Sequence, residues 1–239
     1  MKPSTPSSPS VLLGYAVREE TWTIAGRPMT LTWVEDTAAL LDLHRVNQWF
    51  KQDEYMPYWA QPWPAAVLLA EKVLTGPAGE GRPAIELGCG IGLVSIAAAL
   101  AGWSVLATDY DPDAVGFALH NAERNRVRLA GDLLDYRVPL DRPAYELVLA
   151  SDLLYVRSYA EPLARWIASA LLPGGQAWLS DPNRSAADDF PKAAQGFGLG
   201  VEVEPVETTT PAGLVTRGRI WRVEKSYAHP ASAGSPRPE

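Results

Sequence analysis

The sequence predicts an α/β protein, a Rossmann-like doubly wound sheet of seven strands with an antiparallel last strand, plus an N-terminal β-hairpin. Three observations carry that expectation. Short continuous apolar runs such as residues 147–150 have the pattern of parallel strands buried on both faces. They alternate with longer segments of helical apolar spacing, the order that winds a parallel sheet. Residues 84–92, Ala-Ile-Glu-Leu-Gly-Cys-Gly-Ile-Gly, pass from an apolar strand through a glycine turn into the apolar segment 93–101.

Taken in order, residues 1–10 are rich in Ser and Pro and poor in apolar side chains, which predicts a disordered arm. Alternating apolar and polar residues at 15–24 and 29–34 flank Ala25-Gly26-Arg27-Pro28 and read as a hairpin. A helix over 36–49, with Leu40, Leu41, Leu43 and Val46 on one face, completes an extension spanning 11–52. The main domain is expected over 53–225. It opens with Tyr55-Met56-Pro57-Tyr58-Trp59-Ala60-Gln61-Pro62-Trp63-Pro64, whose prolines exclude an ordinary helix and predict an ordered aromatic loop before a helix over 65–74. After the glycine turn come a strand over 104–109, a helix from Pro112 to about 125, a third strand over 127–136 and a fourth over 147–150. Ser151-Asp152-Leu153-Leu154-Tyr155 leads to a helix ending near 172, and Pro173-Gly174-Gly175 turns the chain. A fifth strand over 176–180 closes in Asp181-Pro182-Asn183-Arg184, and 200–205 with 217–223 form a final antiparallel pair. Residues 226–239 are a second Pro/Ser tail.

Ligands of such sheets bind beyond the carboxyl ends of the central strands. Glu86, Asp109, Asp135, Asp152 and Asp181 all fall there. Gly88 and Gly90 allow a sharp turn and close approach of a ligand, and Asp109, about 20 residues on, is placed to accept both hydroxyls of a ribose. A dinucleotide fingerprint has a third glycine where this chain has Leu93, which disfavours a nicotinamide cofactor. Asp135 suits the exocyclic amine of an adenine, or a turn. The aromatic rings of 55–63 suit either the core or a pocket wall facing a cation. Cys89, the single cysteine, excludes an internal disulfide and reads as a packing residue. His44, His120 and His229 have no ligand spacing, so no metal is expected. A formal net charge of −7 argues against a nonspecific nucleic-acid surface. No apolar run has membrane-spanning length and no signal-peptide core is visible, which predicts a cytoplasmic protein without a membrane partner.

Glu86, the Gly88, Gly90 and Gly92 spacing and Asp109-Tyr110-Asp111-Pro112 together resemble the signature of class I S-adenosylmethionine-dependent methyltransferases. The resemblance implies S-adenosylmethionine as cofactor, with the turn against its methionine and ribose parts and Asp109 on the ribose. A cationic sulfonium without phosphate suits such an acidic loop. Pro57-Tyr58-Trp59-Ala60 with Trp63-Pro64, Asp152-Leu153-Leu154-Tyr155 and Asp181-Pro182-Asn183-Arg184 resemble methyltransferase family 16, which contains many protein-lysine methyltransferases. Asn183 stands where relatives carry glycine, and Asp135-Tyr136 where many carry Asp-Trp. The resemblance implies N-methylation, of a protein lysine or of a small amine. It makes Asp152 and Tyr155 the catalytic pair, adds Trp63, Asp135 and Asp152 to the cofactor site, and assigns Trp59, Tyr155 and Asp181 to the substrate. Asp152 would orient the amine or accept its proton through water, and could also cap the following helix. A monomer is expected. DNA amino-methylating enzymes carry Asp/Asn-Pro-Pro-Tyr/Phe where this chain has Leu153-Leu154, which disfavours a nucleic-acid substrate. A noncatalytic cofactor-binding module is the remaining alternative.

Overall fold

The computed structural model describes residues 10–53, 55–211 and 213–225. The arm expected over 1–10 and the tail expected over 226–239 lie outside the described residues, except Ser10, which opens a strand.

Among the described residues the strands form two sheets. In the first, β1 (Ser10–Leu12), β2 (Tyr15–Ile24) and β3 (Arg27–Val34) pair antiparallel in that order, so the expected hairpin gains a third strand. After a 3-10 turn and α1 (His44–Asp53), α2 (Pro64–Thr75) leads into the main sheet. That sheet contains β4 (Pro83–Leu87), β5 (Ser104–Asp109), β6 (Ala130–Leu133), β7 (Tyr145–Ser151), β8 (Leu171–Asp181), β9 (Leu199–Thr209) and β10 (Val215–Lys225). Its order is β6-β5-β4-β7-β8-β10-β9, with β4 to β8 parallel and β10 antiparallel between β8 and β9. The period-two rule sorts β7 between two cores: Leu147 and Leu149 pack with α2, α3 (Leu93–Leu100) and α4 (Pro112–Arg124), and Val148 and Ala150 with α5 (Ala160–Ala170) and α6 (Phe190–Gly196). Trp166, Phe190 and Trp221 fill the second core at 0–1% exposure.

Four local expectations are corrected. The helix expected over 36–49 breaks at Leu43, which is extended: Asp36 accepts the amides of Ala38 and Ala39, a 3-10 turn Ala38–Asp42 follows, and α1 starts at His44. Leu40 is buried and Leu41 exposed, so the four apolar residues share no single face. The third core strand is only Ala130–Leu133, an exposed edge segment. Pro173-Gly174-Gly175 does not end a helix before a new strand; β8 begins at Leu171 and bulges, Tyr145 pairing Leu171 while Leu147 pairs Gln176. Finally, α6 has no counterpart among the expected elements.

The small sheet is fastened to the main domain by polar side chains acting as surrogate backbone. Asn121 of α4 accepts the Thr32 amide at 2.8 Å and donates to the Thr32 and Ile91 carbonyls, each at 2.9 Å. One turn on, Asn125 accepts the Thr30 amide and donates to the Thr30 carbonyl. Helix α4 thereby meets β3 as a neighbouring strand would, and Asn121 also holds the glycine turn in place. At the other end of α4, Tyr15 and Arg45 converge on Asp113, and Tyr55 donates to the buried Asp111.

Candidate functional site

The turn after β4 is closed by the neighbouring strand. Cys89 donates its amide to the Thr108 carbonyl at 2.8 Å, and the Thr108 hydroxyl donates to the Glu86 carbonyl at 2.6 Å. Gly88 has φ +64°, and a Cβ there would lie 2.4 Å from a Leu153 methyl, so this glycine is what lets the turn and the Asp152 loop lie together. Gly92, with φ +87°, starts α3, and a Cβ on it would meet Ala118 at 2.8 Å.

Around the turn opens a cavity of about 540 Å³, within the range of small-ligand sites. Its inner end holds two buried carboxylates. Glu86 is 1% exposed and accepts the Ser95 hydroxyl at 2.5 Å; burial raises it from 4.5 to about 8 against the lowering effect of Ser95. Asp109 accepts the Gly90 amide at 2.9 Å and the Asp111 amide at 3.0 Å on separate oxygens. Burial raises it to about 6, opposed by those amides. The Tyr110 amide also bears on this carboxylate, which still has room to accept from a further donor. Cys89 is buried and its thiol is pushed up by burial, consistent with packing.

The other expected residues distribute as follows. Tyr110 lines the cavity, meeting the Trp49 ring edge-on and the Tyr55 ring at a tilt. Asp135 also lines it, but its carboxylate turns back to its own strand exit, accepting the Arg137 amide at 2.9 Å and Nε at 2.8 Å. Burial works against its ionisation, and Arg137 outweighs this to hold it below the ordinary value. Trp63 lines the wall, its indole N–H donating to the Tyr58 carbonyl at 2.6 Å. Trp59 touches the cavity but is only 6% exposed and packs on Tyr15 and Phe117 beneath the glycine turn, so its ring is largely core. Tyr155 stands at the mouth, 36% exposed, between Tyr58 and Tyr159 at centroid distances of 5.3 and 5.2 Å. Burial and its tyrosine neighbours raise its hydroxyl, which stays protonated.

Asp152 lines the cavity in the left-handed region at φ +55°, with both carboxylate oxygens bound by Arg184, Nε at 2.6 Å and Nη2 at 2.8 Å. It caps no helix: the following 3-10 turn is preceded by Val156, and α5 by Tyr159. Asp181 is not in the cavity wall. It lies behind it, 1% exposed, accepting the Arg184 amide at 2.8 Å and Arg219 Nε at 3.1 Å. The motif Asp181-Pro182-Asn183-Arg184 implies its acid as the pocket residue, whereas the structure brings Arg184 into the wall. Asp181 folds the turn back on itself, which sends the side chain three residues later toward the cavity. Tyr58, one of the rings that the sequence leaves open between core and pocket, lies in the wall, and no motif marks Ser95 or Arg137.

These residues fit S-adenosylmethionine. The cradle excludes side chains, Glu86 and Asp109 offer carboxylate acceptors for hydroxyls and for an ammonium, and the two arginines in the cavity lining, Arg137 and Arg184, are engaged by Asp135 and Asp152. Among the described residues no three His, Cys, Asp or Glu side chains are grouped to hold a metal ion. No helix among them is long and apolar enough to cross a membrane.

A sequence model described as lysine methyltransferase matches residues 45–189. The electron transfer flavoprotein beta subunit lysine methyltransferase of Danio rerio is 32% identical over 148 residues, 59% of this chain and 57% of that protein. Its Homo sapiens counterpart is 33% identical over 125 residues, 52% of this chain and 47% of that protein. The matches thus span about half the length of these curated relatives. A solved S-adenosylmethionine-dependent methyltransferase of Methanosarcina mazei superposes with TM-score 0.51 at 14% identity, covering 62% of this chain and 93% of that one, which shows a shared fold. With 145 residues matched from the end of the N-terminal extension to the loop after β8, the chain belongs to methyltransferase family 16, the lysine methyltransferase family of the class I, seven-β-strand S-adenosylmethionine-dependent methyltransferases.

Proposed function

We propose that the chain is an S-adenosylmethionine-dependent N-methyltransferase whose acceptor is the side-chain amine of a protein lysine. The observation that carries the reading is one cavity joining the glycine turn and Asp109 to an aromatic mouth containing Asp152 and Tyr155. When bound, S-adenosylmethionine supplies an electrophilic methyl group on a cationic sulfur. Asp109 and the backbone of the turn would hold its ribose, Glu86 its methionine end, and Tyr110 and Trp63 the flanking walls. Asp152 would receive the acceptor amine, with the rings of Tyr58 and Tyr155 excluding water around it. A lysine has an ordinary pKa of about 10.4 and reacts only as the free base, so the ammonium ion that pairs with Asp152 would first pass a proton through water to that carboxylate or to solvent, a loss that desolvation between these rings favours. Positioning supplies the remaining advantage, because the amine and methyl must meet in line.

A protein acceptor is supported by the mouth: Tyr58 and Tyr155 are 42% and 36% exposed, which leaves a long side chain access from outside. The named substrate of the curated relatives is also a protein. The proposed setting is the cytoplasm and the proposed acting unit a monomer, both resting on the sequence reading alone. The test is calorimetry with S-adenosylmethionine and S-adenosylhomocysteine on the native chain and Asp109→Ala, followed by transfer of a radiolabelled methyl group to lysate. Binding lost in the variant and label in a protein band support the reading. Label only in small products moves the acceptor to a small amine, and binding without transfer leaves a cofactor-binding module.

A further inference from the structure

Arg184 sits where the acceptor has to go. Its guanidinium covers both oxygens of Asp152, whose side chain is only 9% exposed, while the Arg184 side chain is 39% exposed and in the cavity wall. The outside therefore meets the guanidinium before it meets the carboxylate. The backbone of Arg184 is fixed on both sides, its amide donating to Asp181 at 2.8 Å and its carbonyl accepting from Arg219 Nη2 at 2.9 Å. Arg219 is itself held by Asp181 and by Asp188 at 2.7 Å and lies over the Trp221 ring. A guanidinium released from Asp152 can rotate about its side-chain bonds but stays at the mouth. Two exposed acids of the turn that follows, Asp188 and Asp189, are already engaged by Arg219 and Arg157.

On the reading of the cavity as an amine methyltransferase site, we propose that Arg184 determines acceptor specificity by ion-pair exchange. The acceptor amine replaces the guanidinium on Asp152, and the displaced guanidinium binds a carboxylate that the acceptor carries beside its target amine. Separating the pair without replacing the guanidinium leaves the largely buried Asp152 carboxylate without a counter-charge, which is unfavourable. An acceptor with both an amine and an adjacent acid replaces both at once, whereas a lysine flanked by neutral or basic residues replaces only one. The favoured substrate is therefore an exposed lysine next to an aspartate or glutamate.

The test uses the full chain saturated with S-adenosylhomocysteine and two synthetic peptides that differ only at the residues flanking one lysine, Asp in one and Arg in the other. Binding is followed by calorimetry, and methyl transfer by the radiolabelled cofactor. The native chain should bind the acidic-flanked peptide about fivefold or more tightly, the scale of one partly exposed charge pair. Arg184→Lys should keep the order, and Arg184→Glu should reverse it, which loss of stability alone does not do; melting curves of each variant show that it is folded. Equal binding of both peptides, or a preference unchanged in a folded Arg184→Glu, overturns the exchange while leaving the methyltransferase reading intact. Failure of both peptides to bind or accept methyl, with S-adenosylmethionine still bound, overturns the exchange together with the lysine reading.

Discussion

Replacing Glu86 with glutamine should make the protein more stable and a worse binder of its cationic cofactor. The carboxyl sits at 1% exposure with Ser95 as its side-chain partner, and burial lifts it from 4.5 to about 8. At pH 7 the unfolded chain has lost this proton and the folded chain keeps it, so folding takes up a proton and stability falls as pH rises. The contribution is fully present below pH 4.5 and lost as pH passes through about 8. At about 1.4 kcal/mol per pH unit, the loss is about 3 kcal/mol at pH 7 and about 5 kcal/mol once the folded group ionises. Glutamine keeps an acceptor for the Ser95 hydroxyl and cannot ionise. Glu86→Gln should therefore exceed the native chain by about 3 kcal/mol at pH 7, roughly 6–12 °C in melting midpoint, and by under about 1 kcal/mol at pH 5. Urea unfolding of both proteins at several pH values between 5 and 8.5, without ligand, measures this. Parallel curves for the two proteins would refute the reasoning, since they would mean that Glu86 ionises as an ordinary surface carboxylate.

The same two acids should couple ligand binding to pH: as Asp109 and Glu86 ionise through about 6 and about 8, affinity for S-adenosylmethionine should rise more steeply than affinity for uncharged-sulfur S-adenosylhomocysteine. Calorimetry from pH 5.5 to 8.5 checks it, and a constant affinity ratio would detach the carboxylates from the sulfonium. Gly88→Ala should cost about 1–3 kcal/mol, because its Cβ meets Leu153 at 2.4 Å and its φ is +64°. Adding Leu153→Ala should relieve the contact but not the φ strain, so the double variant in chemical denaturation should recover only part of the loss. Asn121→Ala leaves the Thr32 amide and the Thr32 and Ile91 carbonyls without their partner and should cost about 3 kcal/mol or more, with faster hydrogen exchange at Thr32 as the local readout.

What the sequence disclosed best was whatever depends on local chemistry. The strand Ser104–Asp109 ends where an acid follows an apolar run, α4 starts at Pro112 with Asp111 capping the Asp113 amide, and Gly88 and Gly90 adopt the positive φ that their turn requires. The misses occur where distant residues decide. Leu41 is exposed although it belongs to an apolar stripe, because Asp36 and not the stripe sets the start of the 3-10 turn. The Pro173-Gly174-Gly175 segment bulges within a strand since its neighbours pair with Tyr145 and Leu147, a register no local pattern encodes. Asp181 leaves the wall, and Arg184 of the same motif enters it, for the same reason. The need of Arg219, 38 residues beyond Asp181, for a buried carboxylate draws that acid inward, and the arginine of the motif is left to face the cavity.

Electrostatics divides the strand-end acids into two sets that look alike in sequence. Asp135, Asp152 and Asp181 each have an arginine within hydrogen-bonding distance, so their charges are balanced from within the chain. Glu86 and Asp109 have none among the described residues, and the effects that oppose their burial are a serine and backbone amides. A fold gains nothing in stability from burying a carboxylate without a counter-charge. Keeping two of them beside a side-chain-free turn is intelligible if the counter-charge arrives with a ligand, and a cation bearing hydroxyls and an ammonium group meets both requirements. Of the arginine-balanced acids, Asp152 lines the same cavity with both oxygens covered by Arg184, so an acceptor there has to compete for a partner already in place. One cavity thus has an end that waits for positive charge and an end that must exchange it, and that ordering favours a cofactor bound first and an acceptor second.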